Sequence, residues 1–289
     1  MAKTWLITGA ARGLGLQIAR AALAAGDNVV ATARNADAVR QALDGNDGRV
    51  LAQALDVTDP AAPQRVVDAA LARFGRIDVL VNNAGYGHLG IFEESTEEEV
   101  RQQLETNVLG LMRMTRAVLP AMRRQRAGHV VNMSSIGGIV PFDSCTLYGM
   151  SKFAVEGFSG NLARDVAPFG IRVTAVEPGF FRTDFLDPAS VRFTASRIDD
   201  YAAAHATETA YRAHSHQQPG DPVKLGQAIV RLVEANEPPT HLALGSDAVG
   251  FVGTELRRRL AELERWQALS VSTDHSDLAR HAAPGAPSR

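Results

Sequence analysis

The sequence predicts an α/β fold, a doubly wound parallel sheet of about seven strands with helices on both faces. Three observations carry that expectation. Short apolar runs alternate with helical patterns as far as Pro178. The runs are continuous rather than alternating, as strands buried on both faces are. A glycine-rich turn joins the first run to the first helix, and right-handed crossovers then wind such a chain into a sheet covered on both sides.

The elements follow in order. Thr4 to Thr8 reads as a buried strand, and Gly13 to Ala25 as a helix with Leu14, Ile18, Ala21 and Ala22 on one face, stopped by Gly26. Asn28 to Ala33 and Val50 to Leu55 are the next strands. Asp59-Pro60 predicts an N-cap with proline at the first helical position, opening a helix from Ala61 to Phe74. Ile77 to Val81 is a fourth strand, followed by a long helix from about Glu97 to Arg124. Strand His129 to Met133, helix Thr146 to Val166 and strand Ile171 to Val176 complete the alternation. Residues 180–220 carry scattered aromatics without it, and read as a substrate lid. Asp221-Pro222 opens a helix to about Ala235, His241 to Leu244 is a last strand, and Val252 to Leu269 is a terminal helix. One domain over residues 1–269 and a flexible tail over 270–289 are expected.

Composition narrows the function. At 289 residues the chain can bury a large core without staples. A single cysteine excludes a disulfide framework and a cysteine-based zinc cluster. A net charge of −2 disfavours nucleic acid as the main partner, since phosphate binding needs a basic field. No window reaches the roughly 18 to 20 apolar residues that span a bilayer, and a cytoplasmic protein without a membrane partner is expected. The histidines His205, His214 and His216 lack a recognised ligand spacing, so no metal is expected. The basic residues are 27 arginines and only three lysines, at positions 3, 152 and 224.

The turn Thr8-Gly9-Ala10-Ala11-Arg12-Gly13-Leu14-Gly15 has the chemistry of a pyrophosphate cradle. Glycines let the backbone approach the phosphates, and the helix N-terminus offers free N–H groups. Its spacing, with Asn82-Asn83-Ala84-Gly85, Ser135 ahead of Tyr148-x-x-x-Lys152, and Pro178-Gly179 followed by Thr183, resembles the short-chain dehydrogenase/reductase family in its compact subgroup. The resemblance covers about residues 3–245. It implies a Rossmann-type fold, hydride transfer with a nicotinamide cofactor, and a homo-oligomer, dimer or tetramer, in which two long helices pair between subunits.

The catalytic reading has its own chemistry. Tyr148 and Lys152 lie four apart on a predicted helix and share a face. A nearby ammonium favours a phenolate, so Lys152 is expected to lower the Tyr148 pKa towards working pH. A chain that otherwise prefers arginine keeps lysine here, a compact charge with an adjustable pKa. The resemblance implies that Ser135, 13 residues before Tyr148, holds the substrate oxygen. It likewise implies that Asn107 binds a water linking Lys152 to solvent. A mid-helix Asn is otherwise a poor helix former, tolerated when its side chain bonds locally.

The cofactor residues implied are Gly9, Arg12, Gly13, Leu14, Gly15, Arg34, Asp56, Val57, Asn83, Ala84, Gly85, Tyr148, Lys152, Pro178, Gly179, Phe181 and Thr183. An acidic residue ending the second strand would bind a ribose 2′-OH and repel a 2′-phosphate. Here that position is Ala33, followed by Arg34, with Arg12 in the glycine loop, so two guanidiniums suit a dianionic phosphate and NADP(H) is expected over NAD(H). Asp56 has two readings, an adenine contact or a turn residue. Phe142, Leu147, Phe180, Phe181 and Phe185 predict an apolar pocket for a ketone, an aldehyde or a secondary alcohol. Arg182 reads as a solvated arginine, with an anionic substrate as the alternative, and Cys145 as a buried thiol. Two other functions remain open: a catalytically silent NADP(H)-binding regulator on the same fold, and an epimerase or dehydratase on a related scaffold. The first would be free to lose Tyr148, Lys152 or Ser135. The second usually has a different glycine spacing and a longer chain.

Overall fold

The computed structural model describes residues 2–45, 48–187, 190–195, 197–213 and 215–275. Seven parallel strands form one sheet: β1 (Thr4–Ile7), β2 (Asn28–Ala33), β3 (Val50–Ala54), β4 (Val79–Asn82), β6 (Gly128–Met133), β7 (Ile171–Pro178) and β9 (His241–Leu244). Their order is β3-β2-β1-β4-β6-β7-β9. The chain winds outward in both directions from β1, so a crevice opens at the strand ends where β1 meets β4.

Alternation along the strands sorts the core into two layers, because successive side chains face opposite sides. Trp5 and Ile7 pack in one layer with Ile18, Ala22, Leu225 and Ile229, from α1 (Gly13–Ala24) and α8 (Pro222–Glu234). Leu6 packs in the other with Val66, Val67, Met114, Val118 and Met122, from α3 (Ala62–Phe74) and α5 (Leu111–Gln125). α6 (Thr146–Val166) adds Val166 to that second layer.

Several boundaries differ from the sequence reading, each for a physical reason. Asp59 does not cap α3: its Oδ1 accepts from Ala61 N at 2.9 Å in a turn before the helix. The helix then starts at Ala62, with Ala61 as N-cap and Pro63 in the first turn. The long helix is not continuous. α4 (Glu97–Leu104) and α5 are joined by a π-helical segment, Glu105–Gly110, which adds a residue to the turn and marks a site under constraint. A short helix, α2 (Ala36–Ala42), capped by Asn35, was not expected.

The region after Pro178 departs most. It holds the strand β8 (Val191–Phe193) and the helix α7 (Ala202–Ala213). β8 pairs in parallel with an unexpected strand, β5 (Gly87–Leu89), that follows the Asn82–Gly85 turn. Three residues per strand give no periodicity to read. The terminal helix, α9 (Ser246–Val271), starts earlier than expected. The expected tail falls on residues 276–289, outside the described residues, apart from the end of α9 and the few residues after it.

One core residue ties stability to pH. His129 on β6 is buried, with Nε2 2.9 Å from Thr174 Oγ1. Burial first, then the Arg172 charge, pulls its pKa down to about 4. Below the unfolded value of about 6.5 the unfolded chain takes up a proton that the folded chain refuses. Stability is therefore complete above pH 6.5 and falls as pH drops towards 4, by up to about 3 kcal/mol. The urea midpoint at pH 4.5 against pH 7 should fall less in His129→Gln than in the parent. Equal losses would clear His129 of this role.

Candidate active site

A cleft of about 1190 Å³ opens at the carboxyl ends of β1, β4, β6 and β7. Its floor is the glycine loop between β1 and α1. Gly9 and Gly13 have φ of +67° and +56°, a left-handed backbone that favours glycine. Arg12 is the N-cap of α1 but its side chain does not cap the helix, and no acidic residue occupies the first turn. The first-turn N–H groups are therefore left for an external acceptor.

Two of the quoted motifs are one structure. Thr8 Oγ1 accepts from the backbone N–H groups of Asn83 and Ala84, both at 2.9 Å. Asn83 Nδ2 donates back to Thr8 O at 2.9 Å and Gly9 O at 3.1 Å. A Cβ on Gly15 would lie 2.5 Å from both Asn83 Nδ2 and Gly9 O. Gly15 is thus needed where α1 packs on this knot, and it does not line the cleft. Asn82 braces the sheet below, donating to Thr115 Oγ1 and Asn132 Oδ1 at 2.9 Å each.

The far wall carries the tyrosine and lysine. Both sit on one face of α6 and line the cleft with Ser135. Lys152 Nζ donates to Met133 O at 2.8 Å and lies 5.6 Å from the centre of the Tyr148 ring. Burial pulls the Lys152 pKa down to about 8, against the pull of Glu156. Tyr148 differs from the expectation of a lowered pKa. Burial pushes it up to about 12, while the hydrogen bond with Ser135 works the other way. In the protein alone, desolvation of the phenolate sets the direction of the shift, and the ammonium is turned to the Met133 carbonyl.

Asn107 sits in the π segment, behind the cleft wall. Its bonds are not local to its helix, as expected, but reach across. Nδ2 donates to Tyr86 O at 2.9 Å and Ser151 Oγ at 3.1 Å, and Oδ1 accepts from Tyr86 N at 3.1 Å. It ties the chain after Gly85 to the residue preceding Lys152.

Every other expected cofactor residue lines the cleft. Arg34 is exposed at the end of β2, beside Asn35. Arg12 Nη2 donates to Ser190 Oγ at 3.0 Å, reaching the segment before β8. Asp56 Oδ1 accepts from Thr58 N at 2.9 Å and Thr58 Oγ1 at 2.7 Å, the turn reading of this residue. Gly179 N donates to Leu244 O at 2.9 Å, and Thr183 Oγ1 accepts from Phe185 N at 3.3 Å.

The segment after Pro178 builds the apolar side. Leu89, Cys145, Leu186 and Val191 form a small core against which Phe142, Tyr148, Phe185, Phe193 and Tyr211 pack. Phe185 lies on Tyr148, ring centres 5.7 Å apart and tilted by 52°. Phe142 meets Phe180 edge-on at 6.4 Å. Leu89 and Val191 had no signal in the sequence, because only the β5–β8 pairing brings them together; Leu186 and Tyr211 join them from the turn before β8 and from α7. Burial pushes the Cys145 thiol up to about 11, an unreactive state. Arg182 is exposed, in line with a solvated arginine, and its Nε also donates to Gln218 O at 3.1 Å. The spacing of His216 hid two carboxylates, Asp184 and Asp187, that the fold brings to it at the surface. His205 pairs with buried Glu94 at 2.8 Å, and His214 lies outside the described residues.

A parallel sheet of this order, with a phosphate-type cradle at its switch point, defines the dinucleotide-binding class of protein. The comparisons with known proteins agree. Residues 3–191 match the short chain dehydrogenase family. The oxidoreductase BOA17 of Botryotinia fuckeliana is 38% identical over 275 residues, covering 94% of this chain and all of its own. A crystal structure of a short-chain dehydrogenase from Streptomyces avermitilis superposes with a TM-score of 0.88 at 44% identity, over 95% of this chain and 100% of that one. ElxO with NADP bound gives 0.72 at 28%, over 86% and 100%. A Burkholderia phymatum family structure in complex with NAD gives 0.78 at 25%, over 91% and 95%. The chain belongs to the short-chain dehydrogenase/reductase family and is an oxidoreductase. Among the described residues, no helix is long and apolar enough to cross a membrane.

Proposed function

We propose that the protein is an NADP(H)-dependent carbonyl reductase or secondary-alcohol dehydrogenase for apolar substrates, with Tyr148 as general acid and base. The observation that carries this is one cleft with the glycine cradle at one end and Ser135, Tyr148 and Lys152 at the other. The residues fit a dinucleotide: an uncapped helix start takes a pyrophosphate, and Arg12 and Arg34 flank the place for a 2′-phosphate. Asp56 and Val57 are assigned to the adenine side. Asn83, Ala84, Gly85, Pro178, Gly179, Phe181 and Thr183 are assigned to the nicotinamide side.

When bound, the cofactor supplies or accepts the hydride. The chain's own residues manage the proton and the oxygen. Ser135 holds the substrate oxygen beside the Tyr148 hydroxyl. In reduction Tyr148 donates its proton to that oxygen as negative charge develops, and in oxidation it takes the proton back. A phenol pushed up to about 12 keeps its proton at pH 7, as the reductive direction requires. The Lys152 ammonium stabilises the phenolate left behind. Asn107 fixes α6 through Ser151 and is assigned the water that links Lys152 to solvent, the route by which Tyr148 regains its proton after reduction and sheds it after oxidation. Phe142, Phe180 and Phe185 exclude water and admit an apolar carbonyl.

Residues 1–269 act as one catalytic unit, with 180–220 as its lid. The protein works in the cytoplasm as a homo-oligomer. The test is NADPH consumption against a panel of apolar ketones and aldehydes. Turnover of one or more supports the reading. NADPH binding without turnover of any would favour the silent regulator instead.

A further inference from the structure

The helix α9 has 26 residues, about 39 Å of helix, but only its first part rests on the protein. Ala248 and Glu255 are buried, and Arg259 bonds to Ile139 O and stacks on Phe153. From Leu256 to the last described residue every position is exposed. Yet Val249, Leu256, Leu260, Leu263 and Val271 are 53–63% exposed. At 100° per residue they share one stripe less than a quarter of the helix circumference wide. In proteins most helical stability comes from packing an apolar face rather than from propensity. This face has no cover within the chain among the described residues.

The charges beside the stripe say what covers it. Arg257 and Glu264 lie on the same flank, seven residues apart. Against a second copy running antiparallel, with the two-fold axis near Leu260, Arg257 faces the partner's Glu264 and Glu264 faces the partner's Arg257. The same register sets Leu256 against the partner's Leu263 and Leu260 against the partner's Leu260, within a residue's rise. An anionic lipid surface is disfavoured. Between Glu255 and Arg265 four arginines are offset by three glutamates. Arg258 and Arg259 are already bound to Glu255, and Arg258 also to Glu262. The polar side has no basic excess of the kind membrane-surface helices use.

We propose that α9 is a self-association surface, pairing antiparallel with α9 of a second copy through Leu256, Leu260 and Leu263. This surface lies on a different helix from the two long ones that the family resemblance implies, and it does not depend on the catalytic assignment. Isologous contacts of this kind close as dimers.

Disulfide trapping tests it. In full-length protein carrying Cys145→Ser, Leu260→Cys places a thiol beside its own copy, and mild oxidation should give an interchain dimer on a non-reducing gel. Leu269→Cys, half a turn round the helix from Leu260, should stay monomeric on that gel. Adding Leu256→Glu and Leu263→Glu to Leu260→Cys should cut the trapped fraction at least tenfold. Arg257→Glu should cut it too, and Arg257→Glu with Glu264→Arg should restore it. These positions are exposed, so circular dichroism should be unchanged. Equal trapping at 260 and 269, or no trapping at 260, overturns the proposal. So does flotation of the parent with phosphatidylserine-containing vesicles that Leu256→Glu and Leu263→Glu abolish.

Discussion

Tyr148→Phe is expected to lower turnover by about 10²- to 10⁴-fold on any accepted substrate, the range for losing a positioned general acid. The change is chemically narrow. The ring stays, and with it the packing on Phe185 at 5.7 Å. The hydroxyl goes, and with it the proton donor beside Ser135 in the cleft. Substrate and cofactor meet the same walls, so the Michaelis constant should move little while kcat collapses, the mark of a group needed only in the transition state. Ser135 cannot substitute, because an alcohol gives up its proton far less readily than a phenol. Single-turnover mixing with NADPH separates binding from chemistry. If the variant keeps parental turnover on even one accepted substrate, the acid–base assignment is wrong.

Arg34→Asp should invert the choice of cofactor, changing the NADPH-to-NADH ratio of kcat/KM by about 100-fold. A hydrogen bond to a charged group contributes about 1.5–3 kcal/mol, and the new carboxylate adds repulsion against a 2′-phosphate and an acceptor for a ribose hydroxyl. Arg34 follows Ala33, the position at the end of β2 where dehydrogenases that take NAD carry an acid, and both line the cleft. Arg12 is the weaker of the pair in the protein alone, since it also holds Ser190 across the cleft at 3.0 Å. Arg12→Ala should therefore weaken NADPH less than Arg34→Asp does. Unchanged NADPH affinity in Arg34→Asp would show that the guanidinium reads no phosphate.

Much of the site was legible in the primary structure because its parts are local. A glycine loop, an Asn-Asn-Ala-Gly turn and a Tyr-x-x-x-Lys face each lie within a few residues, and each ends on a strand or opens a helix that apolar periodicity can locate. What stayed hidden was the coupling between them. Nothing in the spacing says that Thr8 ties the first motif to the second, or that Gly15 is small to clear Asn83. Nor does it say that Asn107 holds a π turn to Ser151. The sign of the Tyr148 shift was also out of reach, because burial, which only the closed fold creates, sets it.

The same division holds for the whole chain. The sequence by itself determined the class of fold, the succession of the seven main strands along the chain and the position of the glycine turn, and it supplied the candidates for the reacting side chains. Each rests on hydrophobic period or on residue chemistry, which a linear pattern carries. The tertiary structure alone decided the β5–β8 pair, the apolar wall that it builds, the break in the long helix and the exposed stripe on α9. Those features depend on contacts between residues far apart, or on a missing contact. Side-chain burial, unlike periodicity, exists only once the chain has closed on itself.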